Sequence, residues 1–164
     1  MMTNFDKINP KKVLGYLMAS ALVFFSSSVI AQTNHDVLVD DYSFSPASLT
    51  IDVGDQVTFT LVGGNHNVNG DLNTFPGNPD GSLYSGAPGN SWGSYVWTCT
   101  IAGTYDYQCD PHFSSMVGSI TAIVSGCTTL GADNYSASAT NDDGSCLWTD
   151  DCGVTDGDQN NNNS

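Results

Sequence analysis

The chain has 164 residues, room for one ordinary domain and some extra chain but not for two full-sized domains. Its 3 basic side chains are Lys7, Lys11 and Lys12, its 17 acidic ones are all aspartate, and of these only Asp6 precedes residue 31. Beyond residue 12 no lysine or arginine can neutralise phosphates and release their counterions, which excludes nucleic acid, nucleotides and anionic membranes and leaves a cation or a basic partner.

The three lysines precede an apolar run from Val13 to Phe25, and a short polar stretch then leads to Val29-Ile30-Ala31, small or modest residues of the kind a signal peptidase reads. Residues 1–31 are therefore expected to be an export signal. The run is too short for a membrane span of roughly 20 residues, and no second run of its kind follows. An exported protein, periplasmic or extracellular, is the expectation, with no integral membrane span. In that setting a cysteine is expected to be paired or bound to metal.

From residue 35 to 125 the apolar residues alternate in short runs: Val37 and Val39; Leu49, Ile51 and Val53; Val57, Phe59 and Leu61; Tyr95, Trp97 and Cys99; Tyr105, Tyr107 and Cys109; then Val117 to Val124. A period of two interrupted by Ser45-Pro46, Gly54-Asp55, Gly63-Gly64 and Ala102-Gly103 predicts strands, and no stretch repeats at 3.6. The expected fold is all-β, a small antiparallel sandwich or barrel. One long connection, from Gly70 to Ser91, is rich in Gly, Asn, Pro and Asp and is expected to be a functional loop or a loose insertion.

The segment Cys109-Asp-Pro-His112-Phe-Ser-Ser-Met116 sets a thiol, an imidazole and a thioether close together after a predicted strand, and His66 follows another, Val57 to Val62. Taken singly, His66 beside Gly-Gly reads as a solvated loop residue and Met116 as core packing. Taken together, a soft thiolate, two imidazoles and a thioether suit copper, whereas zinc sites draw on Cys, His and carboxylates. Pro111 fixes φ and stiffens the loop between Cys109 and His112. Cys99 lies too far along a predicted hairpin to bridge Cys109 and is expected to fill a core position.

The motifs Phe44-Ser-Pro46, Leu49-Thr-Ile51, Gly54-Asp-Gln-Val57, His66-Asn67-Val68, Gly103-Thr-Tyr-Asp-Tyr-Gln-Cys109-Asp-Pro-His112 and Met116-Val-Gly118 resemble those of the cupredoxins, and most closely the plastocyanin and pseudoazurin group. The resemblance implies a Greek-key β-sandwich holding one type 1 copper, with His66, Cys109 and His112 as strong ligands and Met116 as a weak axial one. It also implies that Asn67 ties the two ligand loops together and that the edge of His112 is the electron port. Three residues separate His112 from Met116, where plastocyanins and pseudoazurins usually have four; this spacing is more like azurin's and bears on the potential and colour of the site.

After Gly126 the composition turns to Asp, Asn, Ser, Thr and Gly, ending in Asn160 to Ser164, and residues 126–164 are expected to bury no core of their own. Cys127 and Cys146 are expected to close this acidic tail with a disulfide; Cys152 falls outside that pairing. The pattern is similar to short Cys-containing repeats in secreted and cell-surface proteins of gliding-type bacteria. The clustered aspartates suggest weak Ca²⁺ binding or a solvated linker, without the spacing of an EF-hand loop.

The function expected is that of an electron carrier that makes no bonds, its acidic surface steering it to a redox protein with a basic docking surface. The alternative is a copper-binding or delivery module. An enzyme such as a nitrite reductase or multicopper oxidase would need further histidine-rich copper sites, and the chain has only His35 besides His66 and His112.

Overall fold

The computed structural model describes residues 32–158, so the expected export signal and the Asn-rich end at Asn160 lie outside the described residues. Seven strands carry the alternation: β1 (Asn34–Asp40), β2 (Ser43–Ser45), β3 (Ser48–Asp52), β4 (Gln56–Leu61), β5 (Ser94–Thr98), β6 (Gly103–Gln108) and β7 (Val117–Ile123). They form two facing sheets, ordered β2-β1-β4-β5 and β3-β7-β6. Along each strand every second side chain turns inward: Val37 and Val39, Val57 and Phe59, Tyr105 and Tyr107, Ile120 and Ala122 are buried, while Leu38 and Val96 face out. Among the described residues the rest of the backbone is loops, turns, a single 3-10 turn and four two-residue strands, and no helix is long and apolar enough to cross a membrane.

The sheets are mixed rather than antiparallel, which corrects the expectation above. β1 runs parallel to β4 with Val37 opposite Phe59, and β3 runs parallel to β7 with Leu49 opposite Ile120. The other pairs are antiparallel. Alternation reports which face is buried and not the direction of the neighbour. Between β1 and β4 the chain crosses to the opposite sheet to form β3, and it returns beside β1 in the same direction.

Aromatic rings fill the space between the sheets. Tyr107 meets Phe44 and Phe59 edge to face, with centroids 4.8 and 5.5 Å apart, and Trp97 meets Tyr105 at 4.8 Å. Gly118 lies opposite Tyr107 on β7, and the tyrosine ring occupies the place of a side chain there. Tyr107 Oη is buried and has no hydrogen-bond partner among the described residues. At the far end of β1, Asp55 is buried, accepts hydrogen bonds from the backbone N–H groups of Thr33 and Asp52, and lies 2.9 Å from His35 Nε2.

The long connection is pinned rather than loose. Asn78 donates to the carbonyls of Gly70 and Asp106 and accepts from the Asp106 N–H, closing the open edge of β6. Trp97 Nε1 donates to Ser82 Oγ and Tyr95 Oη to the Ser82 carbonyl, while Leu83 is fully buried.

Beyond Val124 four two-residue strands follow: β8 (Ser125–Gly126), β9 (Asn141–Asp142), β10 (Trp148–Thr149) and β11 (Thr155–Asp156), with β8 paired to β9 and β10 to β11. Cys127 and Cys146 are joined in a disulfide, 4.8 Å apart at Cα. Around it Ala132 and Trp148 pack with the two half-cystines. The tail therefore does bury a small cluster of its own, contrary to the compositional expectation, because the cross-link supplies the closure that apolar area cannot. Its aspartates turn inward on the local backbone: Asp142 accepts from Gly144 N–H and Asp143 from Ser145 N–H. Ser125 Oγ donates to Asp52 Oδ1, and Val124 N–H to Thr140 Oγ1, stitching the tail to the sandwich.

Candidate metal centre

β4 ends at Leu61, so His66 lies beyond the strand, where a turn delivers it. Gly64 at φ +79° makes that turn, and a side chain there would collide with His66 Nε2. His66 then exchanges backbone hydrogen bonds of 3.0 Å with Gly89, and Trp92 Nε1 donates to its carbonyl at 2.8 Å. The long connection thus fixes the backbone of His66, whose side chain is 2% exposed.

β6 ends at Gln108, which pairs with Asn69 through two backbone hydrogen bonds of 2.8 and 2.9 Å. Cys109 follows, fully buried, and starts a tight loop. His112 N–H donates to the Cys109 carbonyl, Met116 N–H to the His112 carbonyl and Cys109 N–H to the Met116 carbonyl. Pro111 sits in the 3-10 turn Asp110–His112, in the first-turn position where a missing N–H costs nothing. These bonds hold Met116 against the same loop, with its side chain buried in the core.

The two segments converge. Cys109 Sγ lies 3.5 Å from His66 Nδ1 and 3.5 Å from His112 Nδ1, and donor atoms of the three residues all fall within 4.8 Å of one another. Donors held at bonds of about 2.0–2.3 Å around one ion stand about 3.5 Å apart, so the spacing fits a single metal. The donor types fit copper better than a hard cation such as Ca²⁺ or Mg²⁺. Burial pushes the Cys109 thiol above its usual range, aided by the Asp110 charge and opposed by the N–H groups of Asn67 and His112. Burial, followed by the neighbouring His112, lowers the pKa of His66, with Asp41 and Asp40 pulling the other way. The surroundings therefore favour a neutral His66 and a protonated Cys109 thiol, and a metal taken up there would have to displace the thiol proton.

Asn67 bridges the two loops: its Nδ2 donates to Gly86 O at 3.0 Å and to Asp110 Oδ2 at 2.8 Å, and its Oδ1 accepts from Asp110 N–H at 2.9 Å. His112 is half-buried, and Tyr42 covers it edge-on at 4.6 Å. Tyr42 is highly exposed and holds φ +60°, a conformation a bulky residue adopts only where its surroundings require it; Phe113 is highly exposed next to His112. Cys99 is a buried thiol donating to Ile101 O at 3.4 Å, consistent with a core position and not with a bridge to Cys109.

Sequence reasoning did not assign roles to Tyr42, Gly64, Asn69, Trp92 or Asp110. The positive φ at Tyr42 has no signature in residue type, and Asn69 and Trp92 act through contacts across long sequence separations. Only Asp110, between the thiol and the proline, stood in plain view.

The profile of a family described as copper binding proteins, plastocyanin/azurin family, matches residues 31–123. A chloroplastic plastocyanin of Hordeum vulgare is 33% identical over 116 residues, covering 63% of this chain and 70% of that one. Among solved structures, an oxidised amicyanin variant is 29% identical over 54% of this chain and 80% of that one, with a TM-score of 0.45. Amicyanin from Paracoccus versutus is 24% identical at the same coverage, also with a TM-score of 0.45.

Proposed function

The chain belongs to the plastocyanin/azurin family of copper-binding proteins, and on that premise we propose that it is an exported carrier of single electrons with one type 1 copper. His66, Cys109 and His112 are the strong ligands and Met116 the weak axial one. The observation that carries the assignment is the approach of Cys109 Sγ to both imidazole Nδ1 atoms at 3.5 Å inside the segment that matches the family. Copper held there supplies a one-electron couple between Cu(I) and Cu(II).

The chain's own residues do the rest. Gly64, Gly89 and Trp92 fix His66, and the 3-10 turn with Pro111 fixes Cys109 relative to His112, so the donors are held before metal arrives. A rigid donor set moves little between oxidation states, which favours rapid electron transfer. His112, half-buried beside exposed Tyr42 and Phe113, offers the route to a partner. Asp40 and Asp41, which act electrostatically on His66, put negative charge near that route and favour a partner with a basic surface. The expected role is transfer without bond making; the third histidine, His35, lies 2.9 Å from Asp55 and is not one of the three clustered donors among the described residues.

The test is titration of the purified protein with Cu(II), followed by visible spectroscopy and voltammetry. An intense thiolate-to-copper band with a reversible couple is expected, and Cys109→Ser should abolish the band. Binding of Cu(I) alone without that band would favour a delivery module, and a band surviving in Cys109→Ser would defeat the ligand assignment.

A further inference from the structure

Asp110 separates the donor thiol from Pro111. Its carboxylate is held from both ends: Oδ2 accepts from Asn67 Nδ2 at 2.8 Å, and Oδ1 accepts from Asn69 Nδ2 at 2.7 Å and from Gln108 Nε2 at 3.5 Å. Use of both oxygens as acceptors is the behaviour of the ionised form. All three donors are neutral amides. No lysine or arginine occurs after Lys12, so none of the described residues supplies a permanent positive charge to balance it.

Tying the loops together does not require this charge. Asn67 already grips the segment through its Oδ1 and the Asp110 backbone N–H at 2.9 Å, and a neutral acceptor could still take the hydrogen bond of the Asn67 amide, though more weakly. The negative charge strengthens these bonds but is not needed for the loops to be joined. It is also immobile, because Asn67 and Asn69 are themselves buried. A fixed anion one residue from the donor sulfur interacts more favourably with the more highly charged of two oxidation states.

We propose that Asp110 is a built-in counter-charge that biases the centre toward Cu(II) and lowers its reduction potential. The proposal rests on the copper reading above and adds a positioning residue that acts through charge and is not a ligand. Removing the charge is expected to shift the ratio of Cu(II) to Cu(I) affinity by about tenfold in favour of Cu(I), from Coulomb's law at intermediate effective dielectric.

The experiment compares wild type with Asp110→Ser and Asp110→Asn. Affinities for each copper ion are measured by chelator competition, the potential by voltammetry, and the fold of the metal-free proteins by thermal unfolding. A raised potential and weakened preference for Cu(II) in both variants, with Asp110→Ser still folded, supports the proposal. A copper-loaded variant whose potential is unchanged or lower overturns it, and so does loss of folding in both variants, which would make the carboxylate a structural tie. A wild-type protein that takes up no copper strikes the copper reading itself, a result distinct from an unshifted potential.

Discussion

The sandwich and the tail are held together by different means. In the sandwich, rings and branched side chains from two sheets bury one another, and the metal-binding loops rest on that core. In the tail a single disulfide gathers Ala132 and Trp148 around itself, and aspartates satisfy local backbone N–H groups. The first region is stabilised by apolar area, the second by a cross-link that restricts its unfolded state. Only the first offers a stiff frame for electron transfer.

The sharpest way to break this comparison is Phe59→Ala. Phe59 is fully buried and contacts Phe44, Tyr95 and Tyr107, so its loss should destabilise the sandwich by about 3–5 kcal/mol, read by denaturant unfolding. Copper binding should fail at the same denaturant concentration as the fold, because the site has no support of its own. Replacing both Cys127 and Cys146 with serine should remove about 3 kcal/mol of restraint from the tail in the chain-entropy model. Its residues should then exchange amide hydrogens rapidly, while the visible spectrum and the sandwich transition stay as they were. A sandwich transition that falls with the tail would show that the bonds at Ser125 and Thr140 join the two into one cooperative unit.

Smaller effects refine the picture. Tyr107→Phe removes a buried hydroxyl that has no partner among the described residues and should raise stability by about 1 kcal/mol, measured by thermal unfolding. Asp55 supplies the pH dependence. Burial raises its pKa, but the bond with His35 and the N–H groups of Thr33 and Asp52 outweigh that, and the net shift is downward. A carboxyl lowered in the folded state stabilises fully above its unfolded value, about 3.9, and that contribution fades as the pH falls through the folded value. Wild type should therefore lose more stability than Asp55→Asn between about pH 5 and pH 2, where ordinary carboxylates titrate, as measured by pH-dependent denaturation.

Much of this is legible in the amino-acid sequence, and for physical reasons. Inward and outward side chains alternate along any half-buried strand, so Val37, Val39, Val57, Phe59, Tyr105 and Tyr107 announced a sandwich. Cys109, His112 and Met116 lie in one short loop, where local spacing and donor chemistry together point to the proposed metal site. Cys127 and Cys146 stand out because exported cysteines are rarely idle. What could not be read was direction and distant contact. Nothing in the pattern of β1 tells whether β4 runs parallel to it, and nothing near His66 reveals that Gly89 and Trp92 will hold its backbone.

By itself the sequence determined which side chains must leave water, which donors are chemically suited to copper and which stretch needs a covalent closure, because these depend on residue type and short spacing. The tertiary structure decided how His66 reaches Cys109 across 43 positions, which the resemblance had implied without a route, and it alone decided that Tyr42 covers His112 and that three neutral amides hold the charge of Asp110. Such contacts arise only when two sheets close and bring distant loops to one end, and no local pattern encodes that closure.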